Sequence, residues 1–327
     1  MAYITLNKNN FFNNLDIIKQ KTKSIDKIAL VLKDNAYGHG LLEVATMANE
    51  YGITKAVVQN LDEAKTIENY FDYVLVLADF PTSNTTCSDK IHYTINDINS
   101  IERFPKDTLV ELKVDTGMHR NGIDPSELQN ALKKIKEHKL ILKAIFTHHR
   151  NADKLSSEWF WQNENFKKIK QLVPKVKFHS ANSASLFRYE DFNEDMARVG
   201  LAAYGCLENQ SELKPILSVY ASKISSRTLH VGKSIGYGAT YTTKKDEIVS
   251  NYDFGYGDGF LRVLSNKFST PNGEKLLGRI SMDNSSFLSD KDELLIFNDA
   301  RDVAPLADTI SYEVLTSLKP SLKRTIV

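Results

Sequence analysis

The chain has 327 residues, 42% hydrophobic and 25% charged, and its 42 Lys and Arg against 41 Asp and Glu set a formal charge of +1. This is a globular composition with enough apolar residues for one large domain or two moderate ones. A balanced charge without a basic run argues against nucleic acid or an anionic membrane as partner, and favours a small neutral or zwitterionic ligand.

The chain opens Met-Ala-Tyr-Ile-Thr-Leu-Asn-Lys-Asn-Asn, which lacks the basic-then-apolar layout of a signal peptide, and no apolar stretch reaches the roughly 20 residues that cross a bilayer. With only Cys87 and Cys206, far apart, the expectation is a cytoplasmic protein with reduced thiols. Tyr3 to Leu6 reads as a lone strand, followed by Asn9 or Asn10 capping a helix over Phe11 to Gln20. Eight short apolar runs follow, at 28–33, 55–59, 73–78, 91–94, 108–114, 141–147, 175–179 and 196–204. Helix-patterned segments such as Leu61 to Tyr70, Ser126 to His138 and Ser157 to Leu172 separate them, and eight such βα units imply a closed (β/α)8 barrel of the TIM type. After residue 212 the texture turns to short β-prone segments punctuated by glycine: Ile216 to Ile224, Thr228 to Val231, Tyr237 to Thr242, Glu247 to Tyr252, Lys275 to Ile280 and Glu293 to Phe297. The expected division is an α/β barrel over 8–215 and a smaller, mostly β domain over 216–327 that recruits strand 2–7.

In a (β/α)8 barrel the chemistry gathers where strands end and loops begin. Lys33 closes the run Ala29-Leu30-Val31-Leu32 there, where desolvation lowers the pKa of an amine and frees it as a nucleophile; a strand-end lysine that merely snorkels is the alternative. In Val110-Glu111-Leu112-Lys113-Val114-Asp115-Thr116-Gly117-Met118-His119-Arg120, strict alternation puts Glu111, Lys113 and Asp115 on one strand face. Ion pairing inside the barrel is the structural reading of Lys113, whereas the planar fork of Arg120, beyond the glycine turn, suits a carboxylate or phenolate. His148 and His149 with Asp153 suggest a metal site, but no cysteine or third histidine stands at ligand spacing. Ser183, in His179-Ser180-Ala181-Asn182-Ser183, is either a helix N-cap or a phosphate ligand, and one hydroxyl cannot easily be both. Tyr237, between two glycines, would by itself read as a packed turn residue.

Several of these stretches carry a resemblance. Lys33-Asp34-Asn35-Ala36-Tyr37-Gly38-His39-Gly40 resembles the cofactor-lysine signature of the alanine racemases, pyridoxal-phosphate enzymes of the barrel type, and Leu112-Lys113-Val114-Asp115-Thr116-Gly117-Met118-His119-Arg120 resembles a second signature almost unbroken. Further likenesses lie in Thr147-His148, in Asn182-Ser183, in Arg198-Val199-Gly200-Leu201, in Ile235-Gly236-Tyr237-Gly238-Ala239-Thr240-Tyr241, in Gly255-Tyr256-Gly257-Asp258-Gly259, in Gly278-Arg279-Ile280-Ser281-Met282-Asp283 and in Ser311-Tyr312-Glu313.

The resemblance implies an alanine racemase that forms D-alanine for the bacterial cell wall, with Lys33 as Schiff-base lysine and D-side base and Tyr237 as L-side base. Tyrosine titrates near pH 10 by itself, so the site must lower Tyr237 or couple it to a partner, and the resemblance makes His148 that support. It places Tyr37, Ser183, Arg198, Tyr312 and the backbone N–H groups of Gly200 and Leu201 on the cofactor, and Arg120 and the N–H of Met282 on the substrate carboxylate. Lys113, often carbamylated in relatives, would hold Arg120; Tyr256 and Asp283 would support the entrance. A guanidinium never gives up its proton, so Arg198 facing the pyridine nitrogen would leave the ring a poorer electron sink, which suits plain proton exchange at Cα. A homodimer with sites shared between chains is also implied. Departures are Asp34 where alanine is usual, His149 where an aromatic is usual, a compressed region after Tyr256 and a C-terminus without the usual aromatic. A non-catalytic cofactor-binding barrel protein fits less well, because a β domain carrying Tyr237 and Met282 is present. A decarboxylase would show a carboxylate at Arg198, and a racemase of broader specificity stays open.

Overall fold

The computed structural model describes residues 1–81 and 88–327, so the expectation about Cys87 lies outside the described residues; Cys206 is a buried free thiol. Contact density divides the chain into two units, one of Phe12–Ala36 with Val44–Ala203, the other of Met1–Phe11, Tyr37–Glu43 and Tyr204–Val327.

The chain begins with strand β1 (Tyr3–Leu6), which belongs to the second unit, and runs into a helix over Lys8–Thr22. That helix starts earlier than expected, and its cap is Asn7 rather than Asn9 or Asn10: Asn10 N–H donates to Asn7 Oδ1 at 2.8 Å. An Asx side chain satisfies an orphan N–H only from one turn upstream, so the more N-terminal asparagine takes the role.

The first unit holds eight parallel strands: β2 (Ile28–Val31), β3 (Lys55–Val58), β4 (Tyr73–Val76), β5 (Ile91–Ile95), β6 (Leu109–Lys113), β7 (Ile141–Phe146), β8 (Lys177–His179) and β9 (Ala197–Val199). They follow the order β8-β7-β6-β5-β4-β3-β2-β9, one strand for each apolar run, as a TIM-type barrel requires. The β8–β9 seam lacks a regular ladder, and irregular bonds bridge it: Arg198 N–H donates to Ala181 O at 2.9 Å and Asp195 N–H to Phe178 O at 3.1 Å. Helices over Leu61–Ile67, Leu128–Glu137, Glu158–Leu172 and Ser183–Arg188 connect the strands. Strands such as β2 and β5 are buried along their whole length, which is why they read as apolar runs.

In the second unit β1 pairs antiparallel with β10 (Leu217–Leu229) and parallel with the C-terminal strand, Lys323–Ile326. β10 corrects two expectations at once, because Ile216 to Ile224 and Thr228 to Val231 are one long strand. Its irregular registers at Val219/Tyr220 and Lys223/Ser225 bend it, so it pairs both with Glu293–Phe297 and with Glu247–Tyr252. The expected strand from Tyr237 to Thr242 is instead a short turn, Tyr237–Ala239, between β11 (Ser234–Ile235) and β12 (Tyr241–Thr242). Gly236 and Gly238 sit at φ 68° and 72°, a conformation that ends a strand. The same holds beyond Leu276–Leu277, where Gly278 at φ 73° stops the strand expected to reach Ile280.

Candidate active site

Lys33 follows β2 and enters a left-handed turn. Asp34, Asn35 and Ala36 have φ/ψ of 55°/53°, 55°/45° and 53°/50°, and Tyr37 has φ 53°. Each non-glycine residue there costs roughly 1–2 kcal/mol, so the turn must be held in place. Ala36 N–H donates to Leu32 O at 2.8 Å, and Asn35 N–H to Glu63 Oε1 at 3.3 Å. The lysine is not fully buried as expected: its side chain is 32% exposed, with Nζ 3.3 Å from Asp34 Oδ2.

Inside the barrel a polar chain crosses from β4 to β9. Glu111 is 1% exposed; its Oε1 accepts from Tyr73 Oη at 2.7 Å and faces His92 Nδ1 at 2.8 Å, while Oε2 faces His179 Nε2 at 2.8 Å. Burial pushes this carboxyl up, but hydrogen bonds from His179 and His92 outweigh it and hold it well below the usual range. His179 Nδ1 lies 2.5 Å from Arg198 Nη1. The carbonyls of His179, Thr147 and Ser180 take the other Nη bonds, at 3.3, 2.7 and 3.2 Å. Among the described residues no acceptor is found for Arg198 Nε–H, and no carboxylate bonds to this guanidinium. Burial lowers Arg198 to about 10, so it stays a cation at neutral pH.

Register places Lys113, Phe146 and His179 side by side on β6, β7 and β8. Lys113 makes no ion pair among the described residues, contrary to the structural reading of it. Asp115, whose charge acts on Lys113, spends Oδ1 on the N–H groups of Gly117, Met118 and His119 at 2.9, 2.9 and 3.1 Å. Burial, Arg120 and Arg198 together pull Lys113 down to about 8. An unmodified Lys113 therefore repels Arg120 rather than holding it. Arg120 is exposed and forms no hydrogen bond among the described residues, a free fork beside that lysine. His148 is partly buried, and burial with the charges of Arg198, Lys113 and Arg120 keeps its pKa well below 6.5. His149 faces the other way, its Nδ1 2.8 Å from Ser185 Oγ and its ring 6.1 Å from that of Trp159. It is core. No cluster of metal-ligating side chains is found among the described residues.

Ser183 does not cap its helix, because Asn182 does so by accepting Ser185 N–H at 2.9 Å. Ser183 Oγ instead accepts the N–H groups of Gly200 and Ala202 at 3.0 and 3.2 Å. With both lone pairs engaged, its own O–H is left as a donor that fits a phosphate, whereas the Gly200 N–H expected on the phosphate is instead spent on Ser183 Oγ.

In the second unit Tyr237 is 69% and Met282 56% exposed. Tyr256 N–H donates to Ser281 O at 3.0 Å and Gly257 N–H to Met282 O at 2.8 Å, so these loops are tied together. A side chain at Gly255 would strike Met282 O at 2.2 Å, which explains that glycine. Arg279 lies beside the Tyr237 turn, 3.7 Å from where a Gly238 side chain would start. Tyr37 and Tyr312 meet with ring centroids 5.6 Å apart. An open cavity of this unit, lined by Lys267, Phe268, Thr270, Asp299 and Asp302, contains none of these residues.

Family models match on both sides of residue 212: alanine racemase, N-terminal domain, over residues 6–208 and alanine racemase, C-terminal domain, over 216–326. The chain belongs to the alanine racemase family. This is a family of pyridoxal-phosphate-dependent isomerases. The chain is 42% identical to the alanine racemase of a Nitratiruptor species, over 99% of each chain, and 39% identical to that of Campylobacter curvus, over 100% of each. Among solved structures it resembles the Bacillus anthracis alanine racemase with bound L-Ala-P (TM-score 0.89, 26% identity, 100% of this chain and 95% of that one). It also resembles the Bartonella henselae alanine racemase with covalently bound pyridoxal phosphate (TM-score 0.88, 28% identity, 100% and 99%). Within this family frame, Tyr73 and His92 are polar residues that sequence reasoning missed. The available signal was a polar side chain inside each of the apolar runs 73–78 and 91–94.

Proposed function

We propose that this chain is an alanine racemase that binds pyridoxal 5'-phosphate and interconverts L- and D-alanine with two bases, Lys33 and Tyr237, supplying D-alanine for the cell wall. The observation that carries the reading is Arg198: a buried cation to which, among the described residues, no carboxylate is hydrogen-bonded, and whose Nε–H is left over as a donor for a ring nitrogen. When bound, the cofactor supplies an electron sink that acidifies the Cα–H of the amino acid joined to it. Arg198 weakens that sink because it donates to the ring nitrogen without protonating it, which favours return of the proton to Cα. Lys33 anchors the cofactor and carries the proton on the D side. Tyr237 carries it on the L side, and His148, kept neutral by its cationic neighbours, is an acceptor for a phenolic O–H.

The Ser183 hydroxyl and the Leu201 N–H hold the phosphate, with Tyr37 and Tyr312 on the same group, while the Gly200 N–H orients Ser183 by donating to its Oγ. Arg120 and the N–H of Met282 take the substrate carboxylate, and Tyr256 and Asp283 shape the entrance. A lysine lowered to about 8 offers a free amine to CO2 near neutrality, and the carbamate so formed would turn Lys113 from a repeller of Arg120 into its anchor. The exposure of Tyr237 and Met282 fits a homodimer in which each β domain completes the partner's site.

The test is a panel of L-amino acids scored for D-product with bound cofactor. D-alanine as the dominant product is expected; none from L-alanine overturns the assignment, and equal rates across the panel replace it with a broad-specificity racemase. Mixing Lys33→Ala with Tyr237→Phe chains tests the shared site. Exchange should restore roughly a quarter of wild-type activity, since half the dimers are mixed and half their sites intact. Mixtures as inactive as both parents refute it.

A further inference from the structure

Arg198 Nη1 is a donor only, so the His179 Nδ1 that it meets at 2.5 Å must be an acceptor. A neutral His179 then carries its proton on Nε2, which faces Glu111 Oε2 at 2.8 Å. The three side chains form a directional chain, guanidinium to imidazole to carboxylate, that works only with His179 in one tautomer. In the other tautomer Nδ1–H would confront Nη1–H, and the guanidinium would have to turn. Glu111 is in turn fixed from the far side by Tyr73 and His92, so it cannot follow. The electrostatics agree. Burial and Arg198 lower His179 while Glu111 opposes them, so the ring stays neutral and the carboxylate is ionised.

We infer that Glu111 is a positioning residue for the racemisation. By accepting the Nε2–H of His179 it locks the tautomer that holds Arg198, and so sets the direction of Arg198 Nε–H. The inference deepens the proposed function and rests on Arg198 facing the cofactor ring. Glu111 touches neither substrate nor cofactor in this arrangement; it acts at two removes, as a buried carboxylate acts through the histidine it orients.

The experiment uses the wild-type holoenzyme with nitrogen-15 histidine, the His179 resonances being identified by their loss in His179→Gln. A single Nε2–H tautomer from about pH 6 to 9 is expected, and an Nδ1–H or imidazolium His179 overturns the inference. Glu111→Gln keeps the shape and removes the charge. Its kcat for alanine should fall about tenfold or more while KM stays within about threefold, with His179 leaving its single tautomer. A folded Glu111→Gln with wild-type kcat overturns the inference and leaves Glu111 a role in stability alone. If that variant does not fold, the tautomer of the wild type decides. A wild type that makes no D-alanine defeats the functional reading instead, and the tautomer still reports on Glu111.

Discussion

Lys33 Nζ lies 3.3 Å from Oδ2 of Asp34, its neighbour in the chain and the first residue of the left-handed turn. This pair exists because the turn brings the two side chains to the same side, and because aspartate stands where the family usually has alanine. In the proposed function, the amine would have to leave the carboxylate before it could join a cofactor aldehyde. With both partners partly exposed, such a pair is worth about 0–1 kcal/mol, so Asp34→Ala should speed cofactor loading of the apoprotein by no more than about fivefold. Loading followed by borohydride trapping at Lys33 checks this; a slower Asp34→Ala would assign the aspartate to capture instead.

The left-handed turn carries its own prediction. Asn35 at φ 55° is a residue type that tolerates this region, whereas a β-branched side chain does not. Asn35→Val should cost about 1–2 kcal/mol more than Asn35→Gly in thermal melts. Equal losses would mean that side-chain contacts, not backbone strain, govern the position.

Ser183 offers a test of the phosphate cradle. In Ser183→Ala the N–H groups of Gly200 and Ala202 lose their acceptor, at a cost of about 1–3 kcal/mol to the apoprotein. Affinity for pyridoxal phosphate should fall by about tenfold or more, and affinity for pyridoxal, which lacks the phosphate, by far less. Parallel losses for both ligands would remove Ser183 from the phosphate site.

His149 predicts a pH dependence. Burial pulls its pKa from 6.5 down to about 4. Between these values the unfolded chain binds a proton that the folded one refuses, so stability falls as pH drops through this window. At acid pH the loss reaches roughly 3 kcal/mol. His149→Phe, which restores the aromatic usual at this place, should flatten that part of the stability profile without changing activity at pH 8, about where the histidine is neutral anyway. Urea titrations across the window measure it, and an unchanged slope would show that another group is responsible.

Much of the fold is legible in the chain because barrel strands, largely buried, leave mostly apolar runs, and each of the eight runs holds a strand. β10 reads as two strands because its distal part, Ser225-Ser226-Arg227, is largely exposed and looks like a loop, although backbone pairing with Glu247–Tyr252 carries it through. The Tyr237 segment reads as a strand because its pattern is apolar and aromatic, while two glycines at positive φ make it a turn.

For the site, local sequence determined which residue types stand in and just beyond the strands: Lys33, Arg120, His148, Ser183 and Arg198 could all be named because each sits in a short contiguous motif. What only tertiary structure decided is who bonds to whom. Asn182 rather than Ser183 caps its helix, Lys113 has no counter-ion among the described residues, and Glu111 reaches a histidine 68 residues away. Periodicity records which face a side chain takes. It cannot record hydrogen bonds between strands that are not neighbours, because those depend on the barrel bringing β6, β8 and β9 round a common interior.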